Sequence, residues 1–163
     1  MRTLNTNGRA VTSSPKDESL DSISRTLAQI VRLTSSRSLF TRDANAAGVV
    51  LTQPAYALLR VLIDNGPLAM GALARGAHMD VGMATRQVTS LVDAGLVTRK
   101  ADPVDARVAL VTVTPHGRRV AGKLLDVRIG YLQRALSGWT PDELDEFNTF
   151  LIRFVADVRR RPE

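Results

Sequence analysis

The residues best suited to chemistry lie in one stretch of the chain, between Met79 and Thr114. Its first part predicts a helix that Asp80 caps, with a buried apolar face at Ala84, Val88, Leu91 and Val92. The rest of that helix carries small, polar or basic residues: Gly82, Met83, Thr85, Arg86, Gln87, Thr89 and Ser90. Such a surface fits the major groove of DNA. Arg86 is suited to a bidentate contact with guanine, and a phosphate contact is the alternative.

A hairpin with a basic tip is predicted directly after this helix. Gly95 is placed to end the helix in a left-handed cap. Two apolar segments, 96–101 and 108–113, then predict strands on either side of the turn sequence DPVDAR. Arg107 lies at the tip, where a minor groove of negative potential would attract its guanidinium. Arg99 and Lys100 are equally consistent with phosphate contacts and with ordinary charged residues on an exposed strand.

The pattern of this stretch resembles the MarR-type transcriptional regulators. The matching residues are Thr85-Arg86, Val88, Leu91, Gly95-Leu96-Val97, Arg99, Asp102-Pro103, Asp105-x-Arg107 and Thr114-x-x-Gly117. With its flanking helices the resemblance covers about 20–158. It implies that Arg107 reaches a minor groove. We expect Asp105, which is too acidic for a phosphate contact, to hold Arg107 or an arginine of the recognition helix by a charge-assisted hydrogen bond.

The elements that position these residues predict a mainly α fold with a small β-hairpin wing (α+β). We expect a flexible tail over 1–19, a dimerisation helix and loop over 20–50, a winged helix-turn-helix lobe over 51–114, and C-terminal dimerisation helices over 115–160. The helices outside the hairpin stretch are expected from Leu20 to about 42, from Thr52 to Asn65, from Met70 to Arg75 with Gly76 as its stop, from Thr114 to about Leu136, and after a capping box at Thr140. Residues 43–50 are expected to form a loop, and Leu68 a short strand that joins the wing.

The first and last helices carry broad apolar stripes that predict a homodimer. The expected interface residues are Leu20, Ile23, Leu27, Leu144, Phe147, Phe150, Leu151, Phe154 and Val158. Packing within one chain is the alternative reading of these stripes. In the family, the first helix packs with the C-terminal helices of a second subunit.

The resemblance also implies release from DNA by a small, often phenolic or aromatic, molecule. The candidate wall residues are Arg32, Phe40, Tyr56 and His116. A tyrosine such as Tyr56 is more often a core residue with a bonded hydroxyl, and an exposed position in the first turn of its helix is the alternative for His116. His78 and His116 are the only histidines, so we expect neither a metal site nor a cofactor.

Composition limits the classes of function. The 163 residues carry a net charge of +6, which favours a polyanionic partner such as double-stranded DNA. The chain contains no cysteine, which excludes a disulfide or a thiol switch. We find neither a membrane-spanning apolar run nor a signal-peptide core, so we expect a cytoplasmic protein with no membrane partner.

Two other classes of function compete with a DNA-binding regulator. An enzyme is disfavoured because the sequence has no metalloprotease helix, phosphate-binding glycine loop or nucleophile elbow. A winged helix used as a protein-interaction module is the stronger rival. Arg86 and Arg107, one on each DNA-facing element, discriminate between the two, since an interaction module would not require both.

Overall fold

The computed structural model describes residues 14–34, 36–103, 105 and 107–160. In that part the elements are α1 (Pro15–Thr34), α2 (Arg37–Ala46), α3 (Gln53–Asn65), β1 (Leu68–Ala69), α4 (Met70–Gly76), α5 (Val81–Asp93), β2 (Val97–Ala101), β3 (Ala109–Val113), α6 (Pro115–Ala135) and α7 (Pro141–Arg159). The predicted fold class is confirmed: the chain is mainly helical with one small antiparallel sheet. Among these residues, none of the helices combines the length and apolar character needed to cross a bilayer.

The first helix begins earlier than the apolar pattern indicated. Helix α1 starts at Pro15, five residues before Leu20, so part of the expected tail is helical. Proline suits this position because it has no backbone N–H to leave unbonded. The N–H of Ser14 donates to the carboxylate of Asp17 at 3.2 Å and closes the first turn. Residues 1–13 of the expected tail lie outside the described residues.

The single helix expected over 20–42 is divided into two. The hydroxyl of Ser36 accepts a hydrogen bond from the N–H of Leu39 at 3.4 Å and so caps a second helix, α2. This helix runs to Ala46, into the segment expected to be a loop. A serine side chain that bonds the backbone N–H three residues ahead starts a new helix. The spacing of apolar residues does not reveal such a break, because it continues from one helix to the next.

Four of the later helices begin where the sequence placed their caps. The side chains of Thr52, Asp80, Thr114 and Thr140 each accept a hydrogen bond from the N–H three residues ahead. Thr140 forms the predicted capping box, because the side chain of Glu143 bonds back to its N–H. Ala69 has no side-chain cap bond, as expected for alanine, and α4 spans only seven residues.

The lobe has its own apolar core, built from α3, α4, α5 and the sheet. Its fully buried members include Leu58, Leu59, Leu62, Leu73, Val88, Leu91 and Val111. The strands pair antiparallel in the order β1-β3-β2, and Leu68 of β1 lies opposite Val111, as predicted for the wing sheet. Val92 was expected to be buried, and this prediction was wrong: it is 37% exposed, beyond the edge of the buried face.

The turns on either side of α5 differ in how they reverse the chain. Gly95 has a φ of 67°, so the predicted left-handed cap is confirmed. Helix α4 ends at Gly76, as predicted, but the left-handed residue of the turn that follows is His78, with a φ of 52°. Gly76 is the last residue of α4 and allows close packing on α3: a Cβ there would lie 2.8 Å from a methyl of Val61.

A second, smaller core joins α2, α3 and α6. It contains Phe40, Ala44, Val49, Tyr56, Ala121 and Leu124. The guanidinium of Arg128 lies 4.8 Å from the ring centre of Tyr56 and 5.6 Å from that of Phe40. Arg128 also pairs with Asp43 at 3.8 Å. These contacts attach α6 and α2 to the lobe. In contrast, α7 has no buried residue.

Candidate DNA-binding surface

The predicted DNA-facing residues of α5 fall into two groups. Five of them form one exposed surface, here called the outer face of α5: Gly82, Thr85, Arg86, Thr89 and Ser90. The other two, Met83 and Gln87, are half-buried and line a cavity behind the helix. The side-chain oxygen of Gln87 accepts a hydrogen bond from the hydroxyl of Thr52 at 3.0 Å. Gln87 is thus bonded to the start of α3.

The hydroxyls on the outer face are engaged with their own helix. Thr85 donates to the carbonyl of Val81 at 2.7 Å, Thr89 to that of Thr85 at 3.0 Å, and Ser90 to that of Arg86 at 3.3 Å. Because each proton is used in this way, the oxygens are presented outward as acceptors. In this state they are suited to receive a base amino group or a guanidinium rather than to donate to a phosphate.

Arg86 is the cationic residue of the outer face. A Cβ on Gly82, one turn earlier, would lie 3.7 Å from the Nη1 atom of Arg86, which is an ordinary contact distance. The same Cβ would lie 3.2 Å from Oδ1 of Asp80, the atom that caps the helix through the N–H of Met83. Glycine at position 82 therefore leaves room for the helix cap.

The wing tip is shaped by Asp105, although not through the contact we expected. Its Oδ1 accepts a hydrogen bond from the backbone N–H of Arg107 at 3.0 Å, and its carbonyl accepts from the N–H of Val108 at 2.9 Å. The carboxylate thus fixes the backbone of the tip rather than a guanidinium. The side chain of Arg107 is exposed. Residues 104 and 106 lie outside the described part of the turn.

The two basic residues of β2 differ in their surroundings. Arg99 donates from Nη2 to the hydroxyl oxygen of Thr89 at 3.3 Å, which links the wing to the outer face of α5. Lys100 is exposed on the other side of the strand. The two candidate phosphate contacts therefore differ: the side chain of Arg99 is already bonded to Thr89, whereas that of Lys100 extends freely from the opposite side of the strand.

The Thr114-x-x-Gly117 motif closes the base of the wing. The hydroxyl of Thr114 donates to the carbonyls of Gly95 and Leu96, at 2.8 and 3.1 Å, and accepts from the N–H of Gly117 at 3.0 Å. A Cβ on Gly117 would lie only 2.1 Å from the carbonyl oxygen of Leu96. The motif therefore allows the start of α6 to lie against the turn that follows α5.

Of the four expected ligand-wall residues, one lines the cavity behind α5. This cavity has a volume of about 700 Å³, and its wall includes Phe40. Tyr56 is buried behind that wall, while Arg32 and His116 are exposed elsewhere on the surface. The sequence reasoning missed Arg37 and His78, which do line the cavity. Their positions depend on the separate helix α2 and on the left-handed turn.

Arg128 was also missed, although it connects three helices. Its neighbours on α6 follow an apolar pattern, and the local sequence gives no signal that an arginine there covers two aromatic rings.

The expected dimer residues lie where predicted, on α1 and α7, with their apolar side chains largely exposed. No cluster of ligands suited to a metal ion occurs within the part of the chain that the structure describes.

Helix α4, the turn at His78 and helix α5 form a helix-turn-helix, and the sheet that follows forms a wing. This arrangement defines the winged helix-turn-helix class of DNA-binding proteins. The MarR family model matches residues 51–109. YxaD of Bacillus subtilis (strain 168), an uncharacterized HTH-type transcriptional regulator, is 31% identical over 103 residues, which are 63% of this chain and 72% of that protein.

Two solved structures are similar over most of the chain. A MarR-family transcriptional regulator from Silicibacter pomeroyi matches with a TM-score of 0.64 and 25% identity, over 83% of this chain and 90% of that one. RV1404 from Mycobacterium tuberculosis matches with a TM-score of 0.70 and 26% identity, over 89% and 97%. The chain belongs to the MarR family and is a DNA-binding transcriptional regulator. The family is one of regulators rather than enzymes.

Proposed function

We propose that this regulator binds a palindromic operator as a homodimer, with the outer face of each α5 in the major groove and each wing tip at the adjoining minor groove. The observation that carries the proposal is the hydrogen bond from Arg99 to Thr89. It links the wing to the outer face of α5, and Arg86 and Arg107 extend from these two neighbouring elements. Contact with adjoining grooves of one duplex requires this arrangement.

The exposed apolar residues of α1 and α7 support a dimer. Phe147, Phe150 and Phe154 are 42, 57 and 40% exposed, on a helix with no buried residue. Apolar area of this extent is costly in water and is typical of a subunit interface. A second copy that brings its own α1 and α7 would cover both stripes. The two-fold axis would then place the α5 helices about 10 base pairs apart, one helical turn of DNA.

Selection of bound sequences from a random DNA pool tests the operator proposal. We expect enrichment of two inverted half-sites whose centres are about 10 base pairs apart. Light scattering should give the mass of two chains at the same protein concentration. Enrichment of a single unrepeated site, or the mass of one chain, would contradict the dimer. Absence of any selective enrichment at low salt would favour the winged helix as a protein-interaction module.

Repression is the sign of regulation that we propose, because it is the commoner outcome in the family that the sequence resembles. The cytoplasm is the proposed location, since a bacterial-type regulator acts where the chromosome lies. A reporter gene downstream of the selected operator should be less active when the protein is present. Higher activity in its presence would make the protein an activator and leave the DNA-binding proposal intact.

A small aromatic anion is the effector that the cavity suits best. Its wall combines apolar side chains, such as those of Phe40 and Met83, with the cationic Arg37 and the imidazole of His78. None of the described residues that line it is acidic. The wall is formed by α2, the start of α3 and α5, so an occupant that prefers another spacing of these helices would shift α5 away from its DNA-binding position.

Benzoate and benzamide form a matched pair of probes for this cavity. They have the same shape, but only benzoate is charged, so only benzoate should raise the melting temperature and release operator DNA. Arg37→Met should remove the difference between the two compounds. Equal effects of both probes, or a benzoate effect that survives Arg37→Met, would contradict an anion-binding cavity.

A further inference from the structure

The side chain of Arg99 leaves the wing on the side that faces the lobe. Val97, two residues earlier on the same strand, is buried, and residues two apart on a strand share a face. Across the sheet Arg99 lies opposite Val111, which is also buried, whereas Arg99 itself is exposed. Its guanidinium then emerges at the outer face of α5. Lys100 points to the opposite side of β2.

The contact that receives this guanidinium is itself fixed. Thr89 accepts from Arg99 at 3.3 Å and donates its own proton to the carbonyl of Thr85 at 3.0 Å. No carboxylate lies within ion-pair distance of Arg99 among the residues that the structure describes. The hydroxyl of Thr89 is therefore the group that orients it.

We propose that Arg99 is a positioning residue of the DNA-binding surface: by donating to Thr89 it fixes the wing relative to α5 and thereby sets the discrimination between operator and unrelated DNA. This inference rests on the proposed operator binding. A plain phosphate contact would require only the positive charge of Arg99. A positioning role requires the planar guanidinium and an oxygen at position 89, because both take part in one directed bond.

Two substitutions separate these roles on DNA. Arg99→Lys keeps the charge, so the dependence of affinity on salt should stay unchanged, while preference for the operator falls roughly three- to tenfold, as for one lost hydrogen bond. Thr89→Val keeps the shape of threonine without its oxygen and should cause the same loss. Thr89→Ser restores the oxygen and should recover the preference. Lys100→Met is the control on the opposite face: it should lower the salt slope and leave the preference unchanged.

The double variant Arg99→Lys with Thr89→Val distinguishes one shared contact from two separate DNA contacts. We expect the double variant to lose no more preference than either single variant, because both single changes remove the same bond. Losses that multiply would show that Thr89 and Arg99 contact DNA independently and would overturn the proposal. A Thr89→Val variant with the preference of the unchanged protein would overturn it as well.

A measurement without DNA keeps this inference apart from the proposed function. Amide hydrogen exchange in the free protein should be faster in β2 and β3 for Thr89→Val and Arg99→Lys, and unchanged for Lys100→Met. Equal wing exchange in all variants would refute the positioning role even if operator binding is found. Faster exchange in the two variants, in a protein without sequence preference, would refute operator binding while the wing contact stands.

Discussion

Replacement of Gly117 by alanine should destabilise the protein at the point where α6 meets the wing. The new Cβ would lie 2.1 Å from the carbonyl oxygen of Leu96, whereas ordinary contacts begin at 3.4 Å, so α6 must move by about 1.3 Å, the difference between the two. Such overpacking costs about 1–3 kcal/mol. A movement of this size also breaks the two bonds from Thr114 to the same carbonyl, each worth about 1 kcal/mol, so their loss adds about 2 kcal/mol. The gain in helix propensity offsets about 1 kcal/mol.

The net loss expected for Gly117→Ala is about 2–4 kcal/mol of unfolding free energy, or about 5–15 °C in melting temperature. Urea unfolding at one fixed protein concentration measures it, because the stability of a dimer depends on concentration. Gly122→Ala is the matched control in the same helix: no atom lies within 4 Å of its Cβ position, so alanine should stabilise by up to about 1 kcal/mol. A Gly117→Ala protein as stable as the unchanged one would refute the close approach of α6 to Leu96.

Four further predictions concern single side chains. His78→Gly should raise the unfolding free energy by up to about 1 kcal/mol in urea, because His78 holds a left-handed φ of 52° that glycine adopts without strain; a loss would contradict this. The backbone N–H and then the hydroxyl of Thr140 lower the pKa of Glu143 below 4.5. The carboxylate therefore stabilises the fold above that pH and less as pH falls through its lowered pKa. The stability lost in Glu143→Gln should accordingly shrink as the pH falls below 4.5, and a difference that does not vary with pH would refute the bond. Arg107→Ala should weaken operator binding and reduce the salt slope by about one, whereas Arg86→Ala should cost about 1–3 kcal/mol and relax preference at one base per half-site; an unchanged slope for the first, or a uniform loss across sequences for the second, would reassign the residue.

The features that were predicted correctly from the sequence are those that depend on residues close together in the chain. Thr52, Asp80 and Thr114 each start a helix because one side chain bonds an N–H three residues ahead, and this spacing is visible in the sequence. Gly95 ends α5 for an equally local reason, its positive φ. The exposed polar face of α5 follows from helical periodicity. These features were enough to predict the winged helix-turn-helix before any coordinates.

The features that the sequence did not predict depend on residues far apart in the chain. Gly76 ends α4 as predicted, but its close packing against Val61 on another helix was not predicted. Gln87 was assigned to the DNA-facing set, but Thr52, 35 residues away, holds its side chain at the cavity wall. Arg128 contacts two aromatic rings on two other helices. In each case the partner is defined only by the packing of helices, which one-dimensional patterns do not contain.

Helix α7 connects local sequence signals with the proposed assembly. Its capping box, its acidic first turn with Asp142 and Glu143, and the basic Arg159 in its last turn all favour a helix without any tertiary contact. Such signals together contribute only a few kcal/mol at most. Helix α7 has no buried residue. The packing that normally stabilises a helix of this length is therefore missing within one chain. A second copy would supply that packing, and the order of α7 should therefore depend on dimerisation, whereas the lobe, with its own core, should not.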